Sequence, residues 1–589
     1  MNLTNFLKQT DAIAAQYSSV QLIAFIHDIG RVLPEDKRED FLKRLKAAGE
    51  EIKEHSRKKD TEDAAFKKLY RRVKSNLQRI ASQEIAVDSI LNEEYDDWYN
   101  SSCEEFLYED REGVSDMLSE ACDFIHTSMD REYDKEGMDI GCQLFRLQIL
   151  CTSEYGDEEL SIQDMVYHNL LNCDLEQVIL DTLYCAYRAV PMKDRSGVLY
   201  EIFVNAGKSE VTLEAVMQHG EEELPDFREF LVLWIAYLGE RTGSEAERFV
   251  KEAVSLLNDA SAAVSYAKKY VSVHPGIYLD ILENEKNADA NSMVSIGIQA
   301  MNAIPKNFMI RSEVALKTAE YVVRVNEKQS LLEMCYFVAY ESDTSAVNYM
   351  RALLNGYGSV KKRGELRKVF MTTNRSSDSY AIIGRSYTGS EREENRLDKN
   401  RLLLLRFLDG QFADVLAKGL NESEALGWTG TFMKQGIALY LLYLYEGEQL
   451  GQGMSVMADM GKNAMGFSKK EYQRGLYMPD DINEKELFYR LFSEWKSMMQ
   501  MPPEIRTRAI EKIEGLLEKR TEGIMSGNHR NYYGECAAYI AALGEVKESL
   551  GEFGAKQRLM TSYKDKYSRR SAFRAEMQAY GWINIKKKS

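Results

Sequence analysis

The chain has 589 residues, of which 44% are hydrophobic and only 8 are proline, and its formal net charge at pH 7 is −17. This length is enough for about three to five domains or one long repeat array, and the scarcity of proline favours long helices. The most apolar runs, 401–408 and 437–447, are too short to cross a bilayer, and the eight cysteines form no CxxC pair. We therefore expect a cytoplasmic, all-α protein with free thiols and no membrane association.

The charge is distributed unevenly along the chain. Residues 91–160 hold 21 acidic and 4 basic side chains, a net charge of −17, so this acidic belt carries the whole imbalance. Residues 35–79 have a net charge of +5 (15 basic, 10 acidic), and residues 554–589 have a net charge of +8 (10 basic, 2 acidic). Such segregation is typical of solvated helix faces, and alternatively of docking surfaces that steer a partner of opposite charge.

The first helical stretch, residues 21–33, contains His27-Asp28-Ile29-Gly30, the tetrapeptide of HD-type metal phosphohydrolases. His27 is the first histidine of the chain, so the upstream histidine ligand of such a site is missing. We therefore interpret the segment as a structural helix and keep the HD-type phosphohydrolase as a minor alternative. Helical spacing predicts one buried apolar stripe, with His27 and Asp28 beside it toward solvent: Leu22, Ile23, Ile26, Ile29 and Val32-Leu33.

Two further helices are predicted in residues 33–81. Pro34, followed by acidic residues, indicates the start of the first, and Thr61 is an N-cap for the second. Their apolar faces are Phe41, Leu42 and Leu45 in the first, and Phe66, Leu69, Val73, Leu77 and Ile80 in the second. Residues 1–90 are thus predicted to form an N-terminal helical cap.

The acidic belt interleaves aromatic and acidic residues, most densely in residues 93–112. This pattern fits an amphipathic pair of acidic helices, or a surface for a basic partner in which Tyr95, Trp98 and Tyr99 are candidate contacts. Further along, Cys122 and His126 are four residues apart and share a helix face. Zinc needs a second pair of ligands, and none stands at a comparable spacing, so we interpret both residues as core.

Residues 91–370 read as a helical-repeat array. Amphipathic units of 12 to 18 residues, separated by short breaks, recur in pairs at about 35 to 40 residues, the range of tetratricopeptide-like hairpins. The polar stretch 371–400 is a candidate hinge or mobile loop. Residues 401–589 read as a second helical-repeat array with a basic tail. The predicted architecture is a right-handed α-solenoid of such hairpins.

The last part of the chain resembles a known family. Residues 531–577, including Tyr533, Ala537-Ala538, Gly551 and Tyr567, resemble the last helices of the α-helical region of bacterial SWIM zinc-finger proteins, and residues 115–580 resemble it more loosely. The finger itself requires CxC followed by CxH, and the chain contains neither. The resemblance implies a tetratricopeptide-like solenoid, and the zinc and nucleic-acid binding of the family cannot be carried over to this chain.

Complete catalytic and nucleotide-binding motifs are absent from the sequence. Gly207-Lys208-Ser209 lacks the upstream glycine of a phosphate-binding loop, because Ile202 stands there. We therefore predict no cofactor, no metal and no enzymatic activity. The predicted function is a non-catalytic scaffold that binds a protein partner through an extended surface. The alternative is a nucleic-acid-associated regulatory protein that uses Arg569, Arg570 and Arg574 of the basic tail. These arginines are equally typical of cations that interact favourably with the dipole at the end of a helix.

Overall fold

The computed structural model describes most of the chain. It leaves out residues 1–2, 92–105, 155, 208–209, 221–222, 284–288, 326–328, 376–393, 422–423, 477–481 and 584–589, and also the side chains of 3–5, 7–8, 11, 47–61, 91 and 106. Most of the described residues are helical, as the sequence predicts. The chain divides into two compact units, Met1–Pro225 and Asp226–Ser589. The predicted boundary between residues 90 and 91 falls within a strand of the first unit.

The first unit contains nine α-helices and four strands among its described residues. In chain order they are α1 (Leu3–Ala14), α2 (Ser19–Val32), α3 (Arg38–Ala81), β1 (Val87–Leu91), β2 (Phe106–Glu109), α4 (Val114–Asp130), α5 (Asp134–Phe145), β3 (Ile149–Ser153), β4 (Glu158–Leu160), α6 (Ile162–Tyr167), α7 (Leu175–Ala189), α8 (Met192–Asn205) and α9 (Leu213–His219).

A four-stranded sheet in this unit was not anticipated from the sequence. Its strand order is β2-β1-β3-β4, with β1 antiparallel to β2, parallel to β3, and β3 antiparallel to β4. Val87, Ile149 and Cys151 bury one side of it. Strands of three to five residues are too short to show a clear alternation of apolar and polar residues, so the sequence did not predict this sheet.

The helical core of the first unit is built by α3, α4, α5 and α7. Four of the five residues predicted for the apolar face after Thr61 are buried (Phe66, Val73, Leu77 and Ile80). The break predicted at Thr61 is wrong, because α3 is one helix of 44 residues. Thr61 therefore lies inside α3 and does not cap the start of a helix.

The second unit contains nineteen α-helices and two short strands among its described residues. They are α10 (Phe227–Gly239), α11 (Ser244–Leu257), α12 (Ala260–Tyr270), α13 (Ile277–Glu283), α14 (Ala290–Ala303), α15 (Ile310–Arg324), α16 (Gln329–Ser342), α17 (Ala346–Ala352), α18 (Val360–Thr372), β5 (Asn374–Arg375), β6 (Arg396–Leu397), α19 (Lys399–Leu408), α20 (Phe412–Lys418), α21 (Met433–Leu444), α22 (Gln452–Ala464), α23 (Lys469–Gln473), α24 (Glu484–Met498), α25 (Pro503–Ser526), α26 (Tyr533–Ser549), α27 (Ala555–Lys566) and α28 (Ser571–Ala579).

Helix α26 lies at the centre of the C-terminal part of this unit. Every residue from Cys536 to Val546 is buried, as expected for a helix that is covered on all sides. It packs against α21, α22, α25, α27 and α28. Earlier in the unit, the main packing pairs are helices that follow one another in the chain, such as α10 with α11, α14 with α15, and α15 with α16.

Residues 376–393, the greater part of the predicted hinge 371–400, lie outside the described residues. The two described ends of this segment pair as β5 and β6, which run parallel. The Asn395 amide oxygen accepts hydrogen bonds from the backbone and hydroxyl of Thr344, at 3.2 and 3.0 Å. The ends are therefore fastened to each other and to the body of the second unit.

Among the described residues, no helix combines the length and apolar character needed to cross a bilayer.

Candidate functional site

The first described helices of the first unit have mostly exposed side chains. We call residues 3–46, which comprise α1, α2 and the start of α3, the N-terminal arm. Helix α2 starts at a capping box, in which the Ser18 amide donates to Gln21 Oε1 at 2.8 Å and the Gln21 amide donates to Ser18 Oγ at 3.4 Å. The helix is therefore well defined locally, yet it contains no buried residue.

Large apolar side chains are concentrated on this arm. Of the 24 exposed large apolar residues in the described part of the chain, ten belong to it: Phe6, Ile13, Tyr17, Val20, Ile23, Phe25, Ile29, Val32, Leu42 and Leu45. The other fourteen are spread over the remaining described sequence. Exposed apolar residues scattered singly are ordinary, whereas contiguous apolar patches are typical of interaction sites.

The stripe predicted to be buried on α2 is wrong. Ile23 is 53% exposed and Val32 is 83% exposed, while Leu22, Ile26 and Leu33 are half-buried. Helical spacing shows that residues share a face, but it does not show which element covers that face. Many apolar side chains of this arm are not covered by other described residues.

His27 and Asp28 lie on exposed positions of α2. The Asp28 carboxylate accepts a hydrogen bond from Arg31 Nη1 at 2.9 Å, one turn away on the same helix. The described part of the chain contains no group of three or more His, Cys, Asp or Glu residues arranged to hold a metal ion. The geometry around His27 is that of an ordinary surface helix.

The predicted partner residues of the acidic belt, Tyr95, Trp98 and Tyr99, lie outside the described residues. In the basic tail, Arg570 donates to the Met525 carbonyl at 2.7 Å and to Asn528 Oδ1 at 2.6 Å. Arg574 donates to the Ser568 carbonyl at 2.7 Å. Arg569 is exposed. Arg570 therefore ties the start of α28 to the end of α25, whereas the hydrogen bond of Arg574 is local.

A second cluster links α4, α7 and α9 and was missed by the sequence analysis. Its centre is the carboxylate of Asp181, which is only 1% exposed. Its Oδ2 lies 3.0 Å from His126 Nδ1, and its Oδ1 lies 2.6 Å from His219 Nε2 and 3.1 Å from the donor Gln177 Nε2. The hydrogen bond with Asp181 raises the pKa of His126, whose ring is half-exposed.

This cluster corrects the interpretation of Cys122 and His126 as a simple core pair. Cys122 is buried, but His126 is the exposed end of a three-helix polar contact. The sequence gives little warning of it, because His126, Asp181 and His219 stand far apart in the chain. Chemically, the arrangement compensates a buried carboxylate with two imidazoles and an amide, and it fastens the three helices together.

No family model, curated protein or solved structure matches the chain. The resemblance of residues 531–577 to the helical region of SWIM zinc-finger proteins therefore stays a prediction.

Proposed function

We propose that the chain is a non-catalytic, cytoplasmic helical scaffold that docks a protein partner through the N-terminal arm. The supporting observation is the concentration of ten exposed large apolar side chains on residues 6–45. Burial of such side chains is the main favourable contribution to protein association, so a surface of this kind is expected to be covered by a partner.

The exposed apolar residues of the arm include three large side chains that share one side of α2. Phe25, Ile29 and Val32 are spaced i, i+4, i+7 on α2 and form one stripe of it. Anchors at this spacing are typical of a helix that packs into an apolar groove.

The charge of the arm indicates the chemistry of the partner. Residues 3–32 carry two basic side chains, Lys8 and Arg31, and two acidic ones, Asp11 and Asp28, in a chain with a net charge of −17. A surface without net charge has little long-range attraction for a charged partner. We therefore assign the partner's contact surface as an apolar, helix-lined groove with little net charge.

We also propose the finer architecture that the sequence predicts, a right-handed solenoid of tetratricopeptide-like hairpins related to the helical region of bacterial SWIM zinc-finger proteins. The pairwise packing of consecutive helices, α14 with α15 and α15 with α16, supports this proposal. Such an array would present an extended surface.

The nucleic-acid alternative has weaker support. It needs the arginines of the basic tail to contact phosphates, but Arg570 and Arg574 donate to backbone carbonyls of their own chain. Only Arg569 of the three predicted residues is exposed without such a hydrogen bond among the described residues. The two functions also differ in salt dependence, because phosphate contacts weaken steeply with added salt and apolar contacts do not.

The test is quantitative affinity purification of three tagged chains from the native cells, with nuclease present. The first is the wild type, and the second carries Phe25→Ser, Ile29→Ser and Val32→Ser. The third is a matched control with Val360→Ser and Phe553→Ser, two exposed apolar residues outside the arm. We expect one protein recovered in stoichiometric amount with the wild type and the control, and at least tenfold less with the arm variant.

Two outcomes would contradict the proposed function. If the arm variant recovers the same protein as the wild type, the docking surface lies elsewhere. If all three chains recover only further copies of themselves, as judged by their mass in solution, the arm is a self-association surface. Because all five substituted side chains are exposed, we expect the thermal unfolding of the three chains to agree, so a loss of binding is not a loss of folding.

A further inference from the structure

A cavity of about 440 Å³ lies in the second unit, where the end of α21, one side of α24 and the start of α25 come together. Helix α24 contributes Tyr489, Phe492 and Lys496, whose i, i+3, i+7 spacing places them on one face. Glu446 follows the end of α21, and Arg506 lies near the beginning of α25. The volume is within the range of about 300–1,000 Å³ that is typical of small-molecule sites.

The most deeply buried part of the lining is apolar and aromatic. Leu442, Tyr443 and Phe492 are only 1–2% exposed, and Met499 is buried as well. The Tyr443 hydroxyl donates to the Met499 carbonyl at 3.0 Å and accepts from the Met501 amide at 3.1 Å. Because this hydroxyl is already satisfied, the buried side of the cavity favours the apolar body of a ligand, and aromatic walls suit a flat ring.

The charged groups of the lining are more accessible than its apolar residues, and they form one cluster. The Arg506 guanidinium donates through Nη2 to Glu446 Oε1 at 3.0 Å. The other oxygen of Glu446 lies 3.3 Å from Lys496 Nζ, which also donates to the Tyr445 carbonyl at 2.6 Å. A ligand with its apolar part inside would therefore present its polar end to these charges.

The cluster has one more positive than negative charge. Glu446 is the only acidic residue among the described lining residues, and it lies between two cations. A guanidinium has five N–H donors, and the ion pair of Arg506 with Glu446 uses Nη2, so the rest of the fork can bind a second carboxylate. Burial lowers the pKa of Lys496, and Glu446 counteracts this effect, as a bound anion would also do.

We propose that this cavity binds a small monocarboxylate with an aromatic body. The ring packs against Phe492 and Tyr443, and the carboxylate accepts hydrogen bonds from Arg506 and Lys496, sharing the two cations with Glu446. One negative charge on the ligand balances the excess positive charge of the cluster. The site belongs to the second unit, and this proposal does not depend on docking of a protein by the N-terminal arm.

The test is a saturation-transfer NMR titration of the full-length protein at neutral pH with three probes. They are 3-phenylpropanoate, its neutral amide 3-phenylpropanamide, and acetate. We expect 3-phenylpropanoate to bind saturably with a Kd below about 1 mM. The other two should bind at least about tenfold more weakly, because the amide lacks the charge and acetate lacks the ring.

Three variants locate the binding and fix its electrostatic sign. Arg506→Gln should weaken the binding of 3-phenylpropanoate at least about tenfold, because it removes the fork. Glu446→Gln should strengthen it, because it removes the competing carboxylate. Arg508→Gln makes the same charge change at an exposed position of α25 outside the lining, and it should leave the affinity unchanged.

The proposal is overturned if 3-phenylpropanoate does not bind saturably, or if its neutral amide binds equally well. Equal affinities of Arg506→Gln and Arg508→Gln would also overturn it, because the ligand would then lie elsewhere. Thermal unfolding of each variant without probe checks its folding. If Arg506→Gln does not fold, the probe series with the wild type and the sign of the Glu446→Gln effect decide the matter.

Discussion

Several buried or half-buried cations of this protein donate to backbone carbonyls at the C-terminal ends of helices. They are Arg195 on Val190, Arg311 on Met301, Lys496 on Tyr445, Lys512 on Leu416 and Arg570 on Met525. The last carbonyls of a helix lack partners within it and carry the negative end of the helix dipole, so a cation satisfies both needs. A basic residue in this sequence is therefore weak evidence for an anion-binding site. Arg570 was predicted to contact a partner, and in the structure it donates to a helix carbonyl of its own chain.

The tail offers a prediction with its own control at the residue scale. Arg570→Gln removes the guanidinium that holds the Met525 carbonyl, and we expect it to lower the free energy of unfolding by about 1–3 kcal/mol. Arg569→Gln, next to it and exposed, should change that free energy by less than about 0.5 kcal/mol. Denaturant titration measures both. If the two variants were equally stable but equally weakened binding to RNA or DNA, the nucleic-acid alternative would replace the structural role.

His126 gives a second residue-scale prediction. Its hydrogen bond with Asp181 raises the pKa above the ordinary value of 6.5, so folding binds protons in this range. The stabilisation from this group is complete below the pKa of the unfolded chain and is lost as the pH rises through the pKa of the folded protein. An NMR titration of the imidazole should show the raised pKa, and Asp181→Asn should lower it. An unchanged pKa in the Asn variant would exclude Asp181 as the cause.

At the scale of elements, helices α22 and α26 pack closely against each other. The amides of Gly453 and Met454, in the first turn of α22, donate to the Glu545 carboxylate of α26 at 3.1 and 2.8 Å. Glu545 is buried, and Lys556 of α27 balances its charge at 2.6 Å. A buried carboxylate at a helix N-terminus is favoured by the dipole, and the lysine offsets its desolvation.

The close packing of α22 against α26 predicts how a methyl group added at Gly453 would change the stability of the protein. A Cβ on Gly453 would lie 2.3 Å from the Ala542 amide nitrogen, and backbone atoms cannot rotate aside. Gly453→Ala should therefore destabilise the protein by about 1–3 kcal/mol. Gly515→Ala, inside α25 where no atom lies within 4 Å of the added Cβ, should instead stabilise it by up to about 1 kcal/mol. Thermal unfolding of both variants checks the pair, and equal stabilities would contradict this packing.

Most helices could be predicted from the sequence, but which of their faces other elements bury could not. The periodicity around Phe66, Val73 and Leu77 correctly indicated a buried face. The same kind of periodicity around Ile23, Ile29 and Val32 predicted a buried face, but these three side chains are exposed. Local spacing reports amphipathicity, whereas burial depends on which distant element reaches the face. The contact of His126 with Asp181 and His219 is long-range for the same reason, and no local pattern marks it.

At the scale of the whole molecule, charge and apolar surface are separated. The acidic belt carries the full excess of negative charge, whereas residues 3–32 of the arm carry none. If the arm is the docking surface, the affinity for the partner should change little between low and high salt. A tenfold or greater loss of affinity over a moderate rise in salt would instead point to the acidic belt or the basic tail.

The measurement that tests arm docking most directly is amide hydrogen exchange of the full chain, alone and with the purified partner recovered by the wild type. We expect new protection to be concentrated in residues 3–46, strongest along α2 around Phe25 and Ile29, because the partner would cover amides that now exchange from an exposed helical arm. Protection that appears in α25–α28 or in another part of the chain, with the arm unchanged, would contradict the proposed docking surface.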